Sequence, residues 1–208
     1  DPGFAELYAS FPDATGLDPW LGWCREAGGP VLYLGIGAGR LAVPLAAAGV
    51  DLVGVDAHPG MLELLRRRLP GAELVLARIE ELDLDGRAFP LVIGPSSILA
   101  DPAGLAAAAR HSAGRVALEL TNPHWLLAGE HPAVRVLGTA GGLFEIEVDY
   151  PGGWTHRSVD RPIWPEEIEE FLADAGLVLE LMRGLDPDAS LAESPTYLVL
   201  ARVPARRR

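Results

Sequence analysis

Val31-Leu32-Tyr33-Leu34-Gly35-Ile36-Gly37-Ala38-Gly39-Arg40 is the stretch that decides the fold. Four apolar residues between Gly29-Pro30 and a glycine repeat read as a short buried strand. The glycines let the backbone turn sharply and let a ligand approach main-chain N–H groups. Arg40 to Ala48 then reads as a helix, ended by Gly49. Asp51 to Val55 reads as a second strand closing at Asp56, 21 residues after Gly35. A carboxylate at that place accepts hydrogen bonds from both hydroxyls of an adenosine ribose.

The same rhythm extends outward. Pro59 to Leu69 predicts a helix with Met61, Leu62, Leu65 and Leu69 on one side. Strands follow at Glu73–Ala77, Phe89–Gly94 and Arg115–Leu120, with an Ala-rich helix near Asp101–Arg110 between the last two. Alternating strands and helices argue for an α/β doubly wound, mostly parallel sheet. After Leu120 the rhythm breaks. Residues 133–160 carry three strand-like runs joined by Gly141-Gly142 and Pro151-Gly152-Gly153, an antiparallel meander. Pro165–Ala175 predicts a helix stopped by Gly176, and Leu177–Leu185 and Tyr197–Val203 the last two strands. Ahead of Val31, residues 1–17 predict a short helix or loop lying over something. Asp18 and Pro19 then read as cap and first residue of a helix through Trp20, Trp23 and Cys24, stopped at Gly28-Gly29. The expectation is a single domain over 1–208. Residues 1–29 form its N-terminal lid and helix, and an antiparallel insertion over 122–162 covers the substrate site.

Length and composition agree with a folded α/β unit. The chain has 208 residues, 49% hydrophobic and 22% charged, enough to bury a sizeable core. Its net charge of −12 repels phosphate backbones, so nucleic acid is not the expected partner. One cysteine, Cys24, builds neither a disulfide framework nor a Cys-based zinc site, and the histidines lack metal-ligand spacing. No apolar run reaches membrane-spanning length, and no basic segment followed by an apolar core opens the chain at Asp1-Pro2-Gly3. These readings predict a cytoplasmic protein with no metal, no membrane partner and a monomeric or homodimeric state. The Arg206-Arg207-Arg208 run reads as a solvated tail.

Two cofactor classes use such a glycine turn. The nicotinamide fingerprint wants a third glycine three places after the second, and that place is Arg40. A cofactor without a pyrophosphate fits the stretch better. The residues from Val31 to Arg40, with Val53-Gly54-Val55-Asp56-Ala57-His58-Pro59-Gly60-Met61-Leu62, resemble the class I S-adenosylmethionine-dependent methyltransferases of small-molecule type. The likeness continues through Ala77–Leu82, Phe89–Ser97, Leu172–Leu177 and Tyr197–Arg202. It implies a seven-stranded Rossmann-like sheet whose last strand is antiparallel, with the β insertion after the fifth strand, and S-adenosylmethionine as cofactor. It also implies residue roles. Tyr33, Gly35, Ile36, Gly37 and Gly39 would face the methionine part. Asp56 would hold the ribose. Ala57, His58 and Met61 would flank the adenine, and Ile79 with Glu80 would meet its edge. Gly94, Pro95 and Ser96 would line the passage to a small organic substrate.

Three family acids are absent. Tyr33 stands where the family has a carboxylate that helps hold the cofactor's amino group, Arg78 replaces a common Asp near the adenine, and Pro90 replaces the usual Asp of the fourth strand. Methyl transfer needs orientation and sometimes a base. His124, in Thr121-Asn122-Pro123-His124-Trp125 after the fifth strand, is the candidate base. Tyr8, Asn122, Trp125, Trp154 and His156 are candidate substrate contacts, Tyr150 and Trp164 add to an aromatic wall, and Tyr8 with Phe11 form a candidate lid. Against this enzyme stand a methyltransferase-like binding or regulatory protein that has lost transfer, motivated by the three missing acids, and a nicotinamide enzyme.

Overall fold

The computed structural model describes residues 2–129, 131–186 and 190–204. The Arg206–Arg208 tail lies outside them. Seven strands form one sheet in the order β3-β2-β1-β4-β5-β10-β9: β1 (Val31–Leu34), β2 (Leu52–Asp56), β3 (Glu73–Leu76), β4 (Phe89–Gly94), β5 (Ser112–Thr121), β9 (Val178–Gly184) and β10 (Thr196–Arg202). β1 pairs in parallel with both β2 and β4, and β10 runs antiparallel between β5 and β9. Strand order reverses at β1, so the carboxyl edges of β1 and its neighbours open the crevice where such sheets take ligands.

Central strands β1 and β4 bury side chains on both faces, which is why they read as continuous apolar runs instead of alternating ones. One face packs Leu32, Leu34, Val92 and Leu118 with α5 (Pro102–Arg110) and α7 (Ile168–Asp174). The other packs Val31, Tyr33, Ile93 and Ala117 with α2 (Trp20–Ala27), α3 (Ala42–Ala47) and α4 (Pro59–Arg68). The three remaining strands, β6 (Val134–Ala140), β7 (Leu143–Tyr150) and β8 (Trp154–Asp160), make a separate antiparallel sheet in the order β6-β7-β8.

Three local expectations differ from what the chain does. α2 starts at Trp20 with Pro19, not Asp18, at its cap position and no side-chain cap; the Asp18–Pro19 peptide is cis. α3 spans only Ala42–Ala47, because the glycine turn extends further into the expected helix. Pro123–Ala128 forms a helix, α6, that the apolar pattern did not announce: Asn122 accepts from the N–H of His124 and Pro123 occupies the first turn.

Candidate active site

The glycine turn is held from two sides. Ile36 N–H donates to the Val55 carbonyl (3.0 Å), and the Ile36 side chain lies over Gly54, where any Cβ would strike it. Gly39, at φ +90°, admits the Leu65 side chain of α4, which brings that helix against the turn. Asp56 closes the arrangement. Its Oδ2 accepts from Gly37 N–H at 2.8 Å and its Oδ1 from His58 N–H at 2.8 Å. Each oxygen keeps a further lone pair, and the residue is half-buried at the carboxyl end of β2. Asp56 is not the cap of α4. That place belongs to His58, whose Nδ1 accepts from Met61 N–H at 3.4 Å.

Other residues expected around an adenine sit near the same edge. Ala57 is exposed; Met61 is buried with Ala5 and Ala38. Ile79 is buried in the turn Ile79–Glu81 after β3, and Glu80 pairs with Arg78. Arg78 is therefore a cation neutralised by its neighbour. Pro90 lies near the amino end of β4 against Gly29, at the sheet edge opposite the glycine turn.

A strap crosses the glycine turn. Helix α1 (Pro2–Ala9) brings Tyr8 to 3.7 Å from where a Gly37 Cβ would stand. Arg40 donates from Nε to the Pro12 carbonyl (3.0 Å) and lies over the rings of Tyr8 and Phe11. Arg68 reaches both the Ala38 carbonyl (2.9 Å) and Asp13 (2.6 Å). Phe11 in turn stacks on Tyr150 of β7, so the strap also touches the insertion.

The segment after β4 is unusual. Ser96 and Ser97 both adopt positive φ, +57° and +59°, a conformation that costs energy for residues with a Cβ and marks functional sites when neighbours enforce it. Ser97 Oγ meets Thr121 Oγ1 at 3.0 Å, and Ser97 N–H donates to the Glu119 carbonyl. The Glu119 carboxylate accepts from Ser96 N–H (3.0 Å) and from Thr196 Oγ1 (3.0 Å). This turn sends Ile98 across Gly35 and Gly94; a Cβ on Gly35, at φ +67°, would come 2.7 Å from Ile98. Sequence reading passed over Glu119, whose signal is a lone acid in the apolar run Val116–Leu120. Tyr33 is buried on the same sheet face. Desolvation first, then the phenol of Tyr8 and the carboxylates of Glu119 and Asp56, raise its pKa, while Arg40 acts the other way.

Beyond Ile98 opens a cavity of about 880 Å³. Ser96, Ser97, Ile98, Thr121, Leu126, Ile146, Ile163 and Phe171 line it, with His156 and Arg161. Carboxylates of Asp101, Asp160, Glu167, Glu170 and Asp174 join them. Ile98 therefore stands between the glycine turn and the cavity. Of the residues expected to meet substrate, His156 is among the lining. Asn122 is fully buried and spends its amide on the Leu191 (2.7 Å) and Ser194 (2.9 Å) carbonyls, so it serves the fold. Trp125 stacks on His131 at 3.4 Å. Trp154 pairs across the hairpin with Tyr150. His124 donates from Nε2 to the Glu166 carboxylate (2.7 Å), packs edge-on to Trp164, and is outside the cavity lining. Among the described residues, no group of three or more His, Cys, Asp or Glu is placed to hold a metal, and no helix is long and apolar enough to cross a membrane.

Residues 31–115 match the family of methyltransferase domains. An uncharacterised methyltransferase of Mycobacterium tuberculosis is 41% identical over 63 residues, 30% of this chain; the matched stretch spans only 26% of that relative. Among solved structures, the CcbJ methyltransferase from Streptomyces caelestis superposes with a TM-score of 0.71 at 22% identity, covering 97% of this chain and 96% of that one. The glycopeptide N-methyltransferase MtfA in complex with S-adenosyl-L-methionine gives 0.64 at 21% identity, covering 94% and 96%.

Proposed function

We propose that this chain, which has the class I methyltransferase fold and carries a methyltransferase domain over residues 31–115, moves a methyl group from S-adenosylmethionine to a small organic molecule. The carrying observation is Asp56: a strand-end carboxylate fastened to the glycine turn at Gly37, with lone pairs left for a ribose. The residues fit the cofactor. Asp56 keeps a lone pair on each oxygen beside a turn residue, Gly37, that has no side chain, and the ligand class has no pyrophosphate for Arg40 to obstruct.

When bound, the cofactor supplies an activated methyl on a sulfonium. The chain supplies position. Asp56 holds the ribose, Ile79 and Met61 wall the base, and Tyr8 under the Arg40 and Arg68 strap excludes water. Gly94, Pro95 and Ser96 border the passage, and the cavity beyond Ile98 takes the substrate between the sheet and the insertion. Its mixed lining, apolar Ile146, Ile163 and Phe171 beside five carboxylates, suits a small molecule that is neutral or cationic and disfavours an anion. His156 is the imidazole best placed to take a proton there, since Glu166 occupies His124.

The experiment is turnover. Purified protein with S-adenosylmethionine and a panel of small amines, phenols and carboxylic acids is assayed for S-adenosylhomocysteine. Release stimulated by an amine or phenol supports the reading; release from none of the panel, with no cofactor bound, overturns it. One observation favours the second reading, a methyltransferase-like binding protein without transfer: Ile98 presses on Gly35, inside the turn. That reading predicts cofactor binding only after Ile98→Ala.

A further inference from the structure

S-adenosylmethionine differs from S-adenosylhomocysteine by one positive charge, the sulfonium, so a site that prefers the donor must set negative charge beside that centre. Two carboxylates bracket the glycine turn. Asp56 ends β2. Glu119 lies on β5, on the sheet face of Tyr33, because Tyr33 pairs with Ile93 and Ile93 with Ala117, two residues before it. Carried two residues on, that register sets Glu119 in the row of Gly35, with β4 between them, while Asp56 ends the strand on the other side of β1. Asp56 is at the ribose end. Glu119 is held at Ser96, which lines the cavity, by accepting from its N–H.

We propose that Glu119 supplies the negative charge facing the cofactor's cationic end, and so selects the methyl donor over its demethylated product. The proposal rests on the methyltransferase reading above. Tyr33 makes the first-strand position uncharged, and Glu119 is itself half-buried, where a charge acts over a longer reach than in water. The two oxygens of Glu119 each hold one partner, Ser96 N–H and Thr196 Oγ1, which fixes the carboxylate and leaves a lone pair on each. The same contact keeps Ser96 and Ser97 left-handed and Ile98 across Gly35, so the charge and the partition between cofactor and cavity are set by one residue. Selection for the charged donor is useful to a transferase because product that binds as well as donor blocks the site.

The test is calorimetric affinity for S-adenosylmethionine and for S-adenosylhomocysteine, with wild type and Glu119→Gln at matched ionic strength. The substitution is expected to weaken the donor about five- to tenfold, the factor of one charge pair at a partly exposed site, and to weaken the product less than about twofold. Equal loss for both ligands, or loss for neither, overturns the proposal and leaves Glu119 as a clamp on the Ser96 turn. If wild type binds neither ligand, the methyltransferase reading itself has failed. Should Glu119→Gln not fold, Glu119→Asp, which retracts the charge by one methylene, carries the same test: a smaller loss confined to the donor is expected, and an unchanged ratio overturns.

Discussion

Asp56→Asn, set beside Asp56→Ala, separates the two jobs of the carboxylate. In the folded chain Asp56 accepts two backbone bonds of 2.8 Å, from Gly37 and from His58. A hydrogen bond to a charged group contributes about 1.5–3 kcal/mol, and half-burial puts these at the low end. Alanine loses both, about 3 kcal/mol. Asparagine keeps one acceptor oxygen and so loses about half of that. For a chain of this size the shift is roughly 2–4 °C per kcal/mol, which predicts a Tm fall of about 6–12 °C for alanine and about 3–6 °C for asparagine. No helix-cap loss adds to this, because His58 caps α4. Binding follows a different order. Both variants lose the charged acceptor for the ribose hydroxyls, so both are expected to bind S-adenosylhomocysteine about ten- to a hundredfold more weakly. Differential scanning fluorimetry reads the first effect and equilibrium dialysis the second. An asparagine variant that melts earlier yet binds like wild type would refute the reasoning and reduce Asp56 to a fastener of the glycine turn.

Three further outcomes follow from named contacts. Burial pushes the Cys24 thiol up to about 11 and raises Tyr33 and Tyr197 above their ordinary values. These groups stay protonated in the fold where the unfolded chain ionises, so the unfolded state binds fewer protons and stability falls as pH rises past about 9. Urea midpoints at pH 7.5, 9 and 10 check this, and a flat profile contradicts it. Gly35→Ala places a Cβ at positive φ and against Ile98, so it should destabilise by about 2 kcal/mol or more, and Ile98→Ala in the same chain should recover only the steric part. A double-mutant cycle with no coupling would show that Ile98 does not rest there. Arg68→Ala removes the bonds to Asp13 and the Ala38 carbonyl and should speed tryptic cleavage at Arg40 under native conditions; an unchanged rate would deny the strap.

Much of this was legible in the chain because its local signals agree. Val31–Leu34, the glycine repeat and Asp56 mark a strand, a turn and a strand end that the fold reproduces within a residue or two. The meander was legible because glycine pairs separate its strands. What escaped depended on partners far along the chain. Asn122 reads as a polar group at a sheet edge, but it is a helix cap that also satisfies two carbonyls about 70 residues away, and only folding brings those near. His124 reads as an open imidazole in the sequence, and the fold sets Glu166, 42 residues on, beside it. Glu119 carries no local motif; its meaning comes from a serine turn 23 residues earlier and a strand that returns antiparallel at Thr196.

The central claim is that the glycine turn and Asp56 form a site for an adenosyl sulfur cofactor. Isothermal titration of the wild-type chain with S-adenosylhomocysteine, run in parallel with NAD, tests it most directly. The account predicts saturable one-to-one binding of S-adenosylhomocysteine well below millimolar concentration, and no heat from NAD. Absence of binding at millimolar S-adenosylhomocysteine, or saturable binding of NAD instead, would contradict it.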